Sequence, residues 1–283
     1  MSRAAELLQA QAEVMKLARL LGREPDELAY LERLDPKDLR ALRDGVTETL
    51  YDAHGSSLGR LAAASRLLPA GLVATIGQRA FGPLLSARLA GLLDTDKAVD
   101  VATKLPPPFL ADVAVELDPR RASELIAAIA PAIIGQVTAE LTARREYVTM
   151  GRFVGHLSDE AIAAALATMD DEAVLRVAFV LEDRAQLSRL FAKLPASRSA
   201  GVIAAAADDG LWLEALDLLN HLHKRQRKAM VLAALALEEQ VVEAILDTIV
   251  AHDLTDEVRL IAEHDASIEE RLAKRRRRSA QGV

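Results

Sequence analysis

Along the middle of this chain, an apolar residue followed by a turn-forming or capping residue recurs at a fixed step. Leu93-Asp94, Leu105-Pro106, Leu117-Asp118, Ile129-Ala130 and Leu141-Thr142 stand 12 residues apart. After a step of 16 the rhythm resumes at Leu157-Ser158, Met169-Asp170 and Leu181-Glu182, then loosens to 13 at Leu194-Pro195 and Ala207-Asp208. Upstream, Leu68-Pro69 and Phe81-Gly82 fall at similar intervals. Each unit has room for one short helix and one tight turn. Asp94, Asp118, Thr142, Ser158 and Asp170 carry side-chain oxygens able to accept the free amides of a first helical turn. Pro119 follows its cap at the first helical position, where a missing N–H costs nothing. Asp96, Glu160 and Glu172 fall in first turns, where acid complements the helix dipole. Roughly nine residues at helical spacing then follow, about 14 Å of helix. Such a helix is not stable alone in water and must bury a face against the units before and after it. The expected fold is therefore all-α: a right-handed α-solenoid of short helices, one per 12-residue unit.

Composition supports that class. Hydrophobic residues make up 51% of the chain and aromatics only 3%, so alanine and leucine supply the core, which favours close-packed helices over strands. The absence of cysteine excludes disulfides, thiol catalysis and cysteine-ligated zinc. Glu6 and Glu13 interrupt the apolar pattern of the N-terminus, which does not read as a secretory signal. The longest uncharged run in the apolar region, Leu67 to Gln78, is 12 residues, against the roughly 20 that a bilayer span needs. A cytoplasmic location is expected. Arginine outnumbers lysine 27 to 8, which points to a GC-rich bacterial genome. The net charge of −7 includes five positive charges at Lys274 to Arg278; without them the body holds 30 positive against 42 negative. An acidic body of this kind is not a nucleic-acid-binding surface. The basic run could touch an anionic membrane surface by charge alone.

Four regions follow. Residues 1–66 read as longer amphipathic helices, the first ending at Gly22 and the second running from Asp35-Pro36 to Gly55. Residues 67–210 hold the short-helix repeat, and residues 211–272 read as helical hairpins. The two flanks are expected to cap the repeat, and residues 273–283 are expected to be a basic disordered tail.

The runs "LPPPFLADVAVE", "LDPRRASELIAA", "LSDEAIAAALAT" and "MDDEAVLRVAFV" resemble the short-helix superhelix at the N-terminus of MgtE-type magnesium transporters. They are also similar to the helical domains of the flagellar rotor switch protein. The resemblance covers about residues 93–207 and implies the fold. The sequence shows neither the nucleotide-binding-type modules nor the membrane helices that follow this domain in those transporters. No metal ligand and no transport activity are carried over.

One stretch departs from its surroundings. "RREYVTMGRFVGH", Arg144 to His156, gathers three arginines, two aromatics, a methionine, two glycines and a histidine at the step of 16. The simplest packing explanation is one helix lengthened by a turn, with Tyr147, Met150, Val154 and Leu157 as its buried stripe. Gly151 and Gly155 would then admit a neighbouring helix. The functional reading takes Arg144, Arg145, Tyr147, Met150, Arg152, Phe153 and His156 as a binding patch, since arginine and aromatics dominate interface energetics. His221 and His223 would lie on opposite faces of a helix and make a poor metal pair. Acid pairs such as Asp170-Asp171 read as caps, Trp212 as core, and "HKRQRK" as a solvated turn. No glycine-rich phosphate loop, G-x-S-x-G or HExxH motif is present, so no enzyme, cofactor or metal is expected. The expected function is a protein-binding scaffold or adaptor. The alternatives are a carrier or sensor of an apolar or anionic small molecule such as a lipid, and a magnesium-responsive regulator. Self-association stays open.

Overall fold

The computed structural model describes residues 3–52, 55–208, 210–251 and 270–273, and the structure is all-helical, with no strand among them. In chain order come α1 (Arg3–Leu21), a 3₁₀ stretch Pro25–Arg33, α2 (Pro36–Asp52), α3 (Gly55–Ser65), α4 (Ala70–Ile76), a π-helical turn Gly77–Phe81 and α5 (Gly82–Ala90). The short units follow: α6 (Thr95–Ala102), α7 (Pro107–Glu116), α8 (Ser123–Ala128), α9 (Pro131–Ala143) and α10 (Tyr147–Phe153), the last extended by a 3₁₀ turn Val154–His156. Next are α11 (Asp159–Leu166), α12 (Asp171–Phe179), α13 (Gln186–Lys193) and α14 (Ser199–Asp208). The chain closes with α15 (Trp212–Leu219), α16 (Lys224–Leu235) and α17 (Glu239–Ala251). No helix among the described residues is long and apolar enough to cross a membrane. His252, His264 and the basic run Lys274–Arg278 lie outside the described residues.

Each short helix packs chiefly on the next but one. One series runs α3, α5, α7, α9, α11, α13. The other runs α4, α6, α8, then α10 with its 3₁₀ turn, α12, α14 and α16. Ala111, Ile162, Leu166, Val174, Val177 and Leu187 are fully buried in the core cluster these helices share. Long cations then tie one unit to the unit two helices away. Arg189 of α13 donates to the Leu157 carbonyl at 2.7 Å and pairs with Asp159 at 2.7 Å. Arg198 donates to the carbonyls of Leu166 at 2.6 Å and Met169 at 2.8 Å. These carbonyls, at or just beyond helix ends, lack partners within their own helix, so the ties satisfy groups that a short helix leaves open.

The rhythm is kept, with corrections. Ser158 accepts the Ala161 amide at 3.1 Å and Asp170 accepts the Ala173 amide at 2.7 Å, as N-caps do. Asp94 stands at the N-cap of α6 without capping it and pairs with Arg66 instead. Thr142 is no cap at all, because α9 continues through it to Ala143. The chain turns three residues later, where Arg145 adopts φ 57°, with its amide on the Thr142 carbonyl at 3.0 Å and the Glu146 amide on that of Leu141 at 2.9 Å. That is a Schellman stop with arginine where glycine is usual. The same stop occurs with glycine at Gly22 and Gly210. The caps Glu146, Ser158 and Asp170 then stand 12 apart, so the added turn lies in α9 and not in the Tyr147–His156 helix. Two further marks fail. After Asp118 the chain makes a tight turn and α8 waits until Ser123; after Glu182 it makes another, and α13 waits until Gln186. Similarly, "HKRQRK" is not a loop, since α16 begins at Lys224.

The N-terminal helices are expected from the sequence to cap the array, yet their described contacts reach its middle. Leu8 and Ala12 of α1 join Phe179 and Val180 in one apolar cluster, with Met15 and Val148 against it.

Two substitutions test this geometry by urea unfolding. Arg145→Gly removes left-handed strain and is expected to stabilise the fold by about 1 kcal/mol. Gly151 is held tighter: an added Cβ would sit 2.8 Å from Val180 Cγ2 and 3.0 Å from its carbonyl oxygen, whereas one at Gly155 would meet nothing closer than 3.9 Å. Gly151→Ala is expected to cost about 1–3 kcal/mol through overpacking. Gly155→Ala should stay within about 0.5 kcal/mol of wild type. Equal effects at the two glycines would contradict the close approach of α10 to the end of α12.

Candidate functional site

α1 buries charge as well as apolar surface. Glu13 and Lys16, one turn apart, are only 2% and 3% exposed. Taking ions out of water costs several kcal/mol each unless partners compensate. Lys16 Nζ lies 3.0 Å from Glu13 Oε1, donates to the Leu181 carbonyl at 3.4 Å and lies 3.9 Å from Glu182. Arg43 of α2 grips Glu182 through two parallel bonds of 2.7 and 3.0 Å and lies 3.2 Å from Glu13. Arg40 adds a contact of 3.0 Å to Glu13. Burial pulls the Lys16 pKa down, with Glu182 and Glu13 opposing. Burial raises that of Glu182, but Lys16 and Arg43 outweigh it and hold the carboxyl below its ordinary value.

This knot forms one wall of a polar cleft of about 330 Å³. The facing walls come from Leu84 and Arg88 of α5, Val115 and Glu116 of α7, the turn at Asp118–Arg120, and Val148, Arg152 and His156 of α10 and its extension. Asp118, which fails as a cap, and Glu182, at the next failed mark, both line it. Asp118 is 5% exposed; it accepts the Arg120 amide at 3.1 Å and lies 3.4 Å from Arg120 Nε, 3.8 Å from Arg121 and 4.0 Å from Arg152. Its carboxylate turns inward to arginines, leaving none for a helix N-terminus.

The seven residues singled out from sequence are not brought together as one patch. Arg144 lies on the surface, paired with Asp112 at 2.5 Å and donating to the Pro108 carbonyl at 3.3 Å. Arg145 occupies the exposed left-handed turn. Tyr147 is half-buried with the Arg176 guanidinium 5.8 Å from its ring centre. Met150 and Phe153 line an apolar cavity between the two helix series. Arg152 and His156 alone face the polar cleft. Lys16, Arg43, Asp118 and Glu182 are not legible as a site: two sit inside ordinary amphipathic patterns, Asp118 reads as a cap and Glu182 as a turn of the repeat.

The apolar cavity measures about 200 Å³ and runs from α3 to α13. Only Ser65, Ser86 and Thr138 among its lining side chains are polar, and none is charged. Trp212 is buried in the core near the far end of the chain. His221 bonds the Asp217 carbonyl at 3.0 Å, and His223 stands at the N-cap position of α16. Among the described residues, no three histidine or acidic side chains come together to hold a metal ion.

Compared with protein-family models, curated proteins and solved structures, the chain matches none. Its functional reading therefore rests on its own geometry.

The knot sets an acid limb on stability. Glu182 has a lower pKa folded than unfolded, so its contribution is present above the unfolded value near 4.3 and is lost as pH falls through the folded one. Glu182→Gln should cost roughly 2 kcal/mol at pH 7 and flatten the stability loss below about pH 4. Urea titrations from neutral to acid pH check this; parallel curves for wild type and variant would contradict it.

Proposed function

We propose that this chain is a non-catalytic helical-repeat protein that works as a scaffold or adaptor in the bacterial cytoplasm. Its two interleaved helix series support a right-handed superhelix of the kind found at the N-terminus of MgtE-type transporters. The observation that carries the binding role is the apolar groove between those series. Its wall includes Leu61, which is 41% exposed, and half-buried Leu93, Leu105, Leu110 and Ile133. Leu67, Leu72, Leu84 and Leu92 are also exposed nearby in sequence, whereas the described residues between Leu92 and Leu232 expose no large hydrophobic side chain. Apolar exposure concentrated in one half of a repeat array suits a partner that completes the core there. An apolar segment of another protein fits that description.

A second reading has a specific observation in its favour. The absence of charge from the groove's lining suits an acyl chain or another apolar small molecule, making the protein a carrier. The magnesium-responsive reading draws no support from side-chain geometry.

The test is capture from the native host with the wild-type chain and Leu61→Asp, paired with native mass spectrometry of the gently purified protein. The scaffold reading predicts one protein partner that the variant loses while its Tm stays within about 2 °C of wild type. Extra mass of a few hundred daltons, removed by organic solvent, would favour the carrier. A partner retained equally by both proteins would place recognition outside the groove.

A further inference from the structure

We propose that the polar cleft is a binding site for a small organic phosphate. The site is separate from the apolar groove and stands whether or not the scaffold reading holds.

Charge is the first argument. Lys16, Arg19, Arg43, Arg88, Arg120 and Arg152 line the cleft. Four acids line it with them, so cations outnumber acids on the cleft's own surface; behind that surface Glu13 pairs with Lys16 and Arg43, and Glu146 with Arg19. Three of the lining acids are already shared. Glu182 holds Arg43 and Lys16. Asp44 lies 3.2 Å from both Arg43 and Arg120. Asp118 faces Arg120, Arg121 and Arg152. The fourth, Glu116, is exposed.

Arg152 is the second argument. Its side chain is 22% exposed, its nearest acid stands 4.0 Å away, and it makes no hydrogen bond among the described residues. Burial drags its pKa down, against the pull of Asp118 and Glu182. Its five donors are therefore open to an acceptor that enters the cleft. Neighbouring Arg120 adds a second planar fork, and paired forks suit the several oxygens of a phosphate.

Shape is the third. A cleft of about 330 Å³ is far larger than one phosphate group needs. Leu20, Leu84, Val115 and Val148 supply apolar wall for an organic remainder. That pairing of an apolar wall with a few convergent polar groups is the usual make-up of a small-molecule pocket.

Isothermal titration with inorganic phosphate, at ionic strength matched with chloride, tests the proposal on the full chain. Wild type should bind saturably at one site. Arg152→Ala should bind about ten- to hundredfold more weakly. Arg144→Ala, which removes a surface arginine outside the cleft, should bind as wild type does. Should Arg152→Ala fail to fold, the His156 ring resonances of wild type, assigned with His156→Gln, report instead: they should shift saturably with phosphate. Equal binding by wild type and Arg152→Ala, no saturable heat or shift, or binding of succinate in place of phosphate would overturn the assignment.

Discussion

A helix of eight or nine residues cannot hold itself in water, and this constraint organises the molecule. Each of the units from α6 to α14 has too few internal hydrogen bonds to offset the entropy of forming them. Stability must come from faces buried against other helices. The chain meets this by packing each helix on the next but one, so that every unit is buried by units that are themselves incomplete. Small alanines allow the close approach, and at Gly151 an added Cβ would meet Val180, at the end of the neighbouring helix, at 2.8 Å. Arg189 and Arg198 then close carbonyls that the short helices leave open.

The N-terminal hairpin answers to the same constraint with different chemistry. α1 covers Phe179 and Val180 with Leu8 and Ala12, an apolar contact any amphipathic helix could make. What fixes its place is the knot of Glu13, Lys16, Arg43 and Glu182. Buried ion networks are poor sources of net stability, but a wrong register would leave several ions unpaired at a cost of several kcal/mol each. The knot therefore acts as an address. It also forms one wall of the polar cleft.

Much of the fold was legible because local rules and global packing agree. Ser158 and Asp170 cap the helices their sequence positions promise, and Gly22 ends α1. The failures have physical causes. Arg145 adopts a conformation that sequence patterns assign to glycine, so the turn after α9 falls three residues beyond the Thr142 that the rhythm marks. Asp118 has the chemistry of a cap but turns to Arg120 and Arg121 beside it and to Arg152, and nothing local says that Glu182, at a turn of the repeat, meets Arg43 and Lys16 of the N-terminal helices. The candidate patch Arg144–His156 was seen as unusual for a sound reason, yet a helix distributes neighbours to different faces. Its residues serve the surface, the apolar groove and the cleft separately, and only Arg152 and His156 meet the charged groups that sequence reading had passed over.

The central claim is that α1 and the short-helix array form one cooperative unit joined by the buried charge knot. Native-state hydrogen exchange of the α1 amides, compared with those of α12, tests it most directly. The account predicts that both helices exchange with the free energy of global unfolding, and that Arg43→Met lowers the value for α1 before that for α12. Exchange of α1 far below the global value in the wild-type chain, unaffected by Arg43→Met, would contradict it.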